Sequence, residues 1–227
     1  MGISITHLQR FSVEGFEHPL EVLYCDNHVF AAIKPAGVLS QGDVTGDCSI
    51  LDISKAWIKH RYNKPGNVFL GLVHRLDRPV CGVMVFGRTS KGAARLSESF
   101  RARIVNKTYL ALVEGVLHGG SELRNTLDGK ECSLTFRCLA QRNGQSLLEV
   151  HPTTGRKHQI RRQLALAGYP IVGDWRYGSS SKLHGRRIGL HAHSLTIPHP
   201  TTGESLSLTA PQPAFILPTD MDETGIK

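Results

Sequence analysis

Apolar and polar positions along this chain follow two different periods, and the switches between them divide it into elements. Glu21 to Cys25 and Val29 to Lys34 read as a strand pair joined by Asp26-Asn27, with Pro35-Ala36-Gly37 turning the chain after the second. From Ser49 to Tyr62 the pattern changes. Ile50, Ile53, Trp57 and Ile58 recur at helical spacing with Lys55, Lys59 and Arg61 elsewhere, so the period predicts an amphipathic helix that stops before Asn63-Lys64-Pro65-Gly66. Val68–Val73 and Val80–Phe86 are short apolar runs that read as buried strands, broken at Pro79 because proline cannot donate to a ladder. Thr89 or Ser90 can cap a helix reaching about Ala102, with Ala93, Ala94, Leu96 and Phe100 as its stripe.

Between Val105 and Gly115 the two-residue period returns, placing Lys107, Tyr109, Ala111 and Val113 on one strand face and Thr108, Leu110 and Leu112 on the other. Ser133–Ala140 and Ser146–Val150 read as strands turned by Arg142-Asn143-Gly144. Thr153, Thr154 and Gly155 supply cap chemistry for a helix carrying Ile160, Leu164 and Ala167, which Gly168 and Pro170 stop. Ile188 to Ile197 alternates once more, and residues 219–227 read as a frayed tail. Strands outnumber helices and are joined mostly by hairpins. The expected fold class is therefore α+β, a mixed, mainly antiparallel central sheet with helices packed outside.

Composition adds a partner class. Among 227 residues, 27 Lys+Arg face 19 Asp+Glu, a net charge of +8 and a sequence pI near 9.4, so the molecule attracts polyanions, nucleic acid first among them. No composition shift, linker or repeat marks a boundary, and residues 1–227 read as one domain. The five cysteines are odd in number and show no CxxC spacing, which argues against a disulfide framework and a zinc ribbon and fits a reducing, cytoplasmic compartment. The N-terminus lacks the order of a signal peptide, and no apolar run approaches the ~20 residues that a membrane span needs.

Candidate chemistry concentrates in two places. In the loop His74–Pro79, Asp77 lies between Arg75 and Arg78, flanked by two predicted core strands that can hold a reactive side chain in place. Taken alone, an Asp between arginines is more often a structural ion pair than a reactive group. Further on, Arg156, Lys157, His158, Arg161 and Arg162 crowd the first turns of the helix expected after Gly155. A helix start already offers free amides and partial positive charge, so added cations there are unfavourable unless an anion binds. His191 and His193 share a strand face, but two imidazoles without a third ligand at readable spacing favour packing, and no metal site is expected. The chain has no GxSxG, GxxxxGK[ST], HExxH or GxGxxG. What remains is chemistry that one carboxylate performs without a cofactor, nucleophilic attack or proton transfer at a sugar or base.

Four segments, in order, carry a family resemblance: KPAG at Lys34, HRLDRPVCG with Asp77, KTYLALVEG with Tyr109, and TGRKHQIR with Arg161 followed by Gly-Tyr-Pro-Ile-Val-Gly-Asp; LHAHSLTIPHP then closes the series. Together they resemble the RluA-type RNA pseudouridine synthases. The resemblance implies a pseudouridine synthase fold with a catalytic cleft and an isomerase that turns specific uridines of ribosomal or transfer RNA into pseudouridine without cofactor. It also implies roles. Asp77 is the catalytic carboxylate and Arg161 its partner, Tyr109 and Leu190 pack against the target base, and Arg75, Lys107, Arg156 and His158 bind the substrate. Two departures stand out: Val80-Cys81 where the family usually has Thr-Ser, and Arg162-Gln163 where many relatives carry a small apolar residue and His. Only about twenty residues precede the first predicted strand, so no separate N-terminal RNA-binding domain is expected, and the target is expected to be a structured RNA such as a stem-loop, bound by a monomer. The rival readings are a catalytically inactive RNA-binding protein of the same fold and a nucleoside or glycoside hydrolase.

Overall fold

The computed structural model describes residues 2–183, 185, 187–213 and 215; the tail expected over 219–227 lies outside them. In chain order the elements are β1 (Ile3–Ile5), β2 (Gln9–Phe11), β3 (Leu20–Cys25), β4 (Val29–Lys34), α1 (Ile50–Arg61), β5 (Gly71–Leu72), β6 (Cys81–Gly87) and α2 (Ser90–Arg101). Then follow β7 (Asn106–Glu114), β8 (Gly120–Leu127), β9 (Lys130–Arg142), β10 (Gln145–Pro152), α3 (Gln159–Leu166), a short 3-10 turn at Trp175–Tyr177, β11 (Leu190–Pro198) and β12 (Ser205–Thr209). One sheet runs in the order β2-β3-β4-β6-β11-β7-β10-β9-β8, with β5 on β6 and β12 joining β11 to β1. Its pairs are antiparallel except for β1 with β12 and β6 with β11. This is the mixed, mainly antiparallel α+β arrangement expected from the sequence.

Helices cover both faces of the central strands. Ile50, Ile53, Trp57 and Ile58 of α1, with Ile160 and Leu164 of α3, join one buried cluster, and Leu96 of α2 joins the other. That explains why β4 is apolar on both faces from Val29 to Ile33: all six of its residues, Lys34 included, are buried, because neither face meets water. The helix starts follow the capping rules. Ser49 Oγ accepts from the Asp52 amide, and Thr89 Oγ1 accepts from the Gly92 amide at 3.0 Å.

Three expectations need correction. The strand read over Val68–Val73 shrinks to Gly71–Leu72, because the next open amide on β6, that of Val85, donates to the His74 imidazole Nε2 at 3.0 Å instead of to backbone. The helix expected straight after Gly155 begins only at Gln159, since His158 takes a left-handed conformation (φ 53°) that cannot continue a helix backwards. Finally β1, β2, β8 and β12 add to the predicted strands: the first three carry no pattern that distinguishes them, whereas Ser205-Leu206-Ser207-Leu208-Thr209 of β12 does alternate, with both leucines buried. Most of β8, Gly-Ser-Glu-Leu-Arg-Asn-Thr, is exposed or half-buried, as suits a strand at the end of a sheet.

The parallel contact between β6 and β11 positions the site. It is only two residues long, His191 opposite Cys81 and Ala192 opposite Gly82, and Gly82 sits at φ 126° with its backbone so close that a Cβ would lie 2.2 Å from the Ala192 carbonyl oxygen. Both strands start at the same end of the sheet. The loop that leads into β6, with Asp77, therefore lies beside Leu190 at the start of β11.

Candidate active site

The Asp77 loop is held by the segment after β4. Lys34, 0% exposed, donates through Nζ to the carbonyls of Pro35 (2.9 Å), Val38 (2.7 Å) and Arg78 (3.1 Å), so three N–H donors of an ammonium meet three acceptors. Burial pulls its pKa down to about 7, while the nearby Cys81 and Asp77 act in the opposite sense. The Gly37 amide donates to the Arg78 carbonyl at 2.8 Å, and Arg78 Nε returns a bond to the Gly37 carbonyl at 2.9 Å. Ser40 Oγ donates to the Leu76 carbonyl and accepts from the Leu76 amide. Both residues that flank Asp77 thus have their backbone fixed, and the Asp77 carbonyl accepts from the Val80 amide at 3.0 Å.

Asp77 faces α3. Its Oδ2 accepts from Arg161 Nη1 at 2.9 Å, with the Asp77 side chain 26% exposed and that of Arg161 6%. The other edge of the guanidinium is taken by Asp174, buried to 2%, which accepts from Nε at 2.6 Å and from Nη2 at 2.9 Å. Burial disfavours the Arg161 charge, but Asp174 and Asp77 outweigh it and raise its pKa. The cation is therefore shared between two carboxylates, one sealed and one open to a cleft. Tyr177 closes the arrangement, its ring 5.0 Å from the guanidinium carbon and its hydroxyl 2.8 Å from His158 Nδ1.

Helix α3 owes its placement to buried amides. Gln159 Oε1 accepts from Thr154 Oγ1 and from the Arg156 amide, and its Nε2 donates to Gln163 Oε1 and to the Ser133 carbonyl. Gln163, fully buried, donates onward to the Leu123 carbonyl and Asn125 Oδ1 on β8. Arg162 adds a two-pronged pair with Asp128 in the turn between β8 and β9. The departure Arg162-Gln163 thus ties α3 to the β8–β9 hairpin.

All eight residues singled out in the sequence line a single cleft of about 1060 Å³: Asp77, Arg161, Tyr109, Leu190, Arg75, Lys107, Arg156 and His158. Tyr109 lies on β7, and burial, reinforced by Asp77, raises its pKa. Leu190 is buried opposite Ala111. Lys107 donates to the Thr154 carbonyl at 2.9 Å, and burial together with Arg103 lowers it to about 8. Arg75 is exposed and donates to Gln41 Oε1. Arg156 has a buried Nε with no hydrogen-bond partner among the described residues. Arg156 and Lys157 precede α3 instead of crowding its first turn, so they form a wall of the cleft and not a helix-end anion site. His191 and His193 stand apart from the cleft lining, and the Nδ1 of His191 is 3.2 Å from Cys81 Sγ. Sequence reasoning passed over Asp174, Tyr177, Lys34 and Ser40 as site residues. The first two fall in Gly-Asp-Trp-Arg-Tyr-Gly, where an Asp next to apolar Ile171-Val172 was a readable signal of a buried, paired charge.

The family model described as RNA pseudouridylate synthase matches residues 28–166, more than half of the chain and the whole stretch from β4 to the last residue of α3. This chain belongs to that family, the isomerases that convert uridine to pseudouridine in RNA, and within it to the RluA type. The dual-specificity RNA pseudouridine synthase RluA of Haemophilus influenzae is 33% identical over 210 residues, 84% of this chain and 92% of the relative. The ribosomal large subunit pseudouridine synthase D of Xanthomonas campestris is 34% identical over 86% of this chain, which spans 66% of that relative's length. The tRNA pseudouridine synthase C of Yersinia pestis is 34% identical, with 84% of this chain and 86% of the relative covered. Among solved structures, human RNA pseudouridylate synthase domain containing 4 superposes with a TM-score of 0.70 at 26% identity, over 86% of this chain and 89% of that one.

Proposed function

We propose that this chain converts uridine to pseudouridine in a structured ribosomal or transfer RNA and that Asp77 starts the reaction. The carrying observation is the Asp77–Arg161 pair at 2.9 Å on the floor of a cleft whose walls are cationic. In this reading the N1–C1′ bond of the target uridine is broken, the base turns while still bound, and C5 is joined to the same carbon. Asp77 assists departure of the base or forms an adduct with the sugar. Arg161 keeps the carboxylate aimed through its 2.9 Å hydrogen bond from Nη1 to Oδ2. Tyr109 and Leu190 sandwich the extruded base, whose removal from its stack costs a few kcal/mol. Arg75, Lys107 and Arg156 hold phosphates, which position the RNA without reading its sequence.

The names of the relatives support ribosomal and transfer RNA as the substrate classes. Five free cysteines suit a reducing cytoplasmic setting, and no helix among the described residues is long and apolar enough to cross a membrane. A stem-loop bound by a single copy is the proposed mode of recognition. Mapping pseudouridines in total RNA from cells with and without this protein tests the assignment. One or a few ribosomal or transfer RNA positions should lose the modification, whereas an unchanged map would sink it.

A further inference from the structure

Helix α2 ends in a turn that glycine usually makes. The Arg103 amide donates to the Phe100 carbonyl at 3.3 Å and the Ile104 amide to the Ser99 carbonyl at 3.2 Å, the paired bonds of a helix stop whose pivot residue takes a left-handed backbone. That pivot is Arg103, at φ 59°. The other non-glycine residues at positive φ among the described ones are Asn63, Asp128, Asn143 and His158, all of types enriched in that region, whereas arginine is not. A cation does suit the negative end of a helix, but Arg101 already supplies one in the last turn. Arg103 is exposed and makes no hydrogen bond or ion pair among the described residues. Its side chain therefore does nothing for the cap that would offset the strain of its backbone.

What the position does give Arg103 is a place in the cleft wall. It lines the cleft together with Lys107, whose Nζ donates one bond to the Thr154 carbonyl at 2.9 Å and has two N–H donors left. Burial, and after it the Arg103 charge, disfavours the Lys107 ammonium, so the two cations oppose each other. Lys107 and Tyr109 share one face of β7 two residues apart, about 7 Å along the strand. That span is comparable with the distance from a base to the backbone phosphate of its own nucleotide. We propose that Arg103 and Lys107 form a subsite for one RNA phosphate, that of the nucleotide whose base Tyr109 contacts, and that the left-handed turn at Arg103 serves to carry its guanidinium there. The inference rests on the reading of Tyr109 given above. The phosphate accepts from the guanidinium and from the free ammonium protons, relieves their mutual repulsion, and ties down the backbone beside the extruded base.

The test uses the full chain and a synthetic stem-loop RNA that it modifies, made also in versions with a single neutral methylphosphonate at each linkage near the target uridine. Arg103→Gly removes the charge and supplies the residue that this backbone fits, while Arg103→Gln removes the charge and keeps the strain. Both variants should bind the fully charged RNA roughly 10-fold more weakly than the parent, as expected for loss of a hydrogen bond to a charged group, with a salt slope lower by about one. Arg103→Gly should also unfold at a higher urea concentration than Arg103→Gln. On RNA that lacks the charge of the target nucleotide's own phosphate, parent and variants should bind alike; neutral linkages elsewhere should leave their difference in place. Parental affinity in the variants, or a difference that persists at every neutral linkage, overturns the proposal. If one variant fails to fold, the other decides by the same comparison. Affinity is read separately from turnover, so neither outcome touches the role of Asp77. Pseudouridine formation by Asp77→Asn would overturn that reading instead.

Discussion

At the scale of residues, the arrangement turns on one guanidinium divided between two carboxylates. Asp174 is buried and makes two bonds to Arg161, while Asp77 makes one and is open to the cleft. The sealed partner fixes the plane of the guanidinium, and the open one is thereby oriented. Two carboxylates and one cation leave a net negative charge, carried at the end that substrate reaches. Asp174→Asn should therefore destabilise the protein by roughly 3 kcal/mol, because a charge taken out of water loses its close partner, and urea denaturation measures this. Turnover should fall more than RNA affinity, since the cations that line the cleft wall are untouched. Equal losses in both would mean that Asp174 only supports the fold.

At the scale of elements, the short loops between strands and helices carry the precision. Glu114, the last residue of β7, shows how: Ser179 Oγ and the amides of Ser180 and Ser181 donate to its Oε1, and Ser180 Oγ donates to Oε2. Burial would raise this carboxyl, but these hydrogen bonds win and hold its pKa down at about 2. Because the folded-state pKa lies below the unfolded one, the contribution is fully present above about pH 4.5 and is lost as the pH falls toward about 2. Amide exchange at Ser180 and Ser181 should accelerate across that window ahead of exchange in the core strands. Exchange that follows global unfolding at every pH would show that the serine loop is held by something else.

The same scale explains what was legible in the sequence. Helices α1 and α2 could be read almost to the residue because their apolar periods start at side chains able to cap, Ser49 and Thr89. The turn at Asn143-Gly144 was legible because both residues take positive φ, which that dipeptide favours. The start of α3 was not, since Thr153-Thr154-Gly155 has cap chemistry that is used elsewhere: Thr154 donates to Gln159, and Thr153 donates to the Ser133 carbonyl. The Asp77, Tyr109 and Arg161 constellation was visible through motif order. Its inner support, Asp174 and Tyr177, was not: the apolar Ile171-Val172 near Asp174 signals a buried charge, but no local period announces that its partner is Arg161 or that Tyr177 stacks on the same guanidinium.

At the scale of the whole molecule, an excess of eight positive charges meets a cleft walled by Arg101, Arg103, Lys107, Arg156 and Lys157. If about five phosphates are neutralised there, RNA affinity should fall roughly 10²-fold between ~50 and ~200 mM salt, because each contact releases condensed counterions. Titration of one RNA at several salt concentrations checks this, and a flat response would place the RNA on another surface. The sheet contributes by holding β6 and β11 together through Gly82, which brings the Asp77 loop and Leu190 to a common floor.

The central claim is that one ionised carboxylate, held by Arg161, performs the isomerisation. Asp77→Asn keeps the size of the side chain and an oxygen for Arg161 but removes the charge. Purified parent and variant should bind the same modified RNA with similar affinity, and after incubation only the parent should yield pseudouridine, a product of unchanged mass that resists glycosidic cleavage. Pseudouridine from the variant at the parental rate would contradict the claim outright.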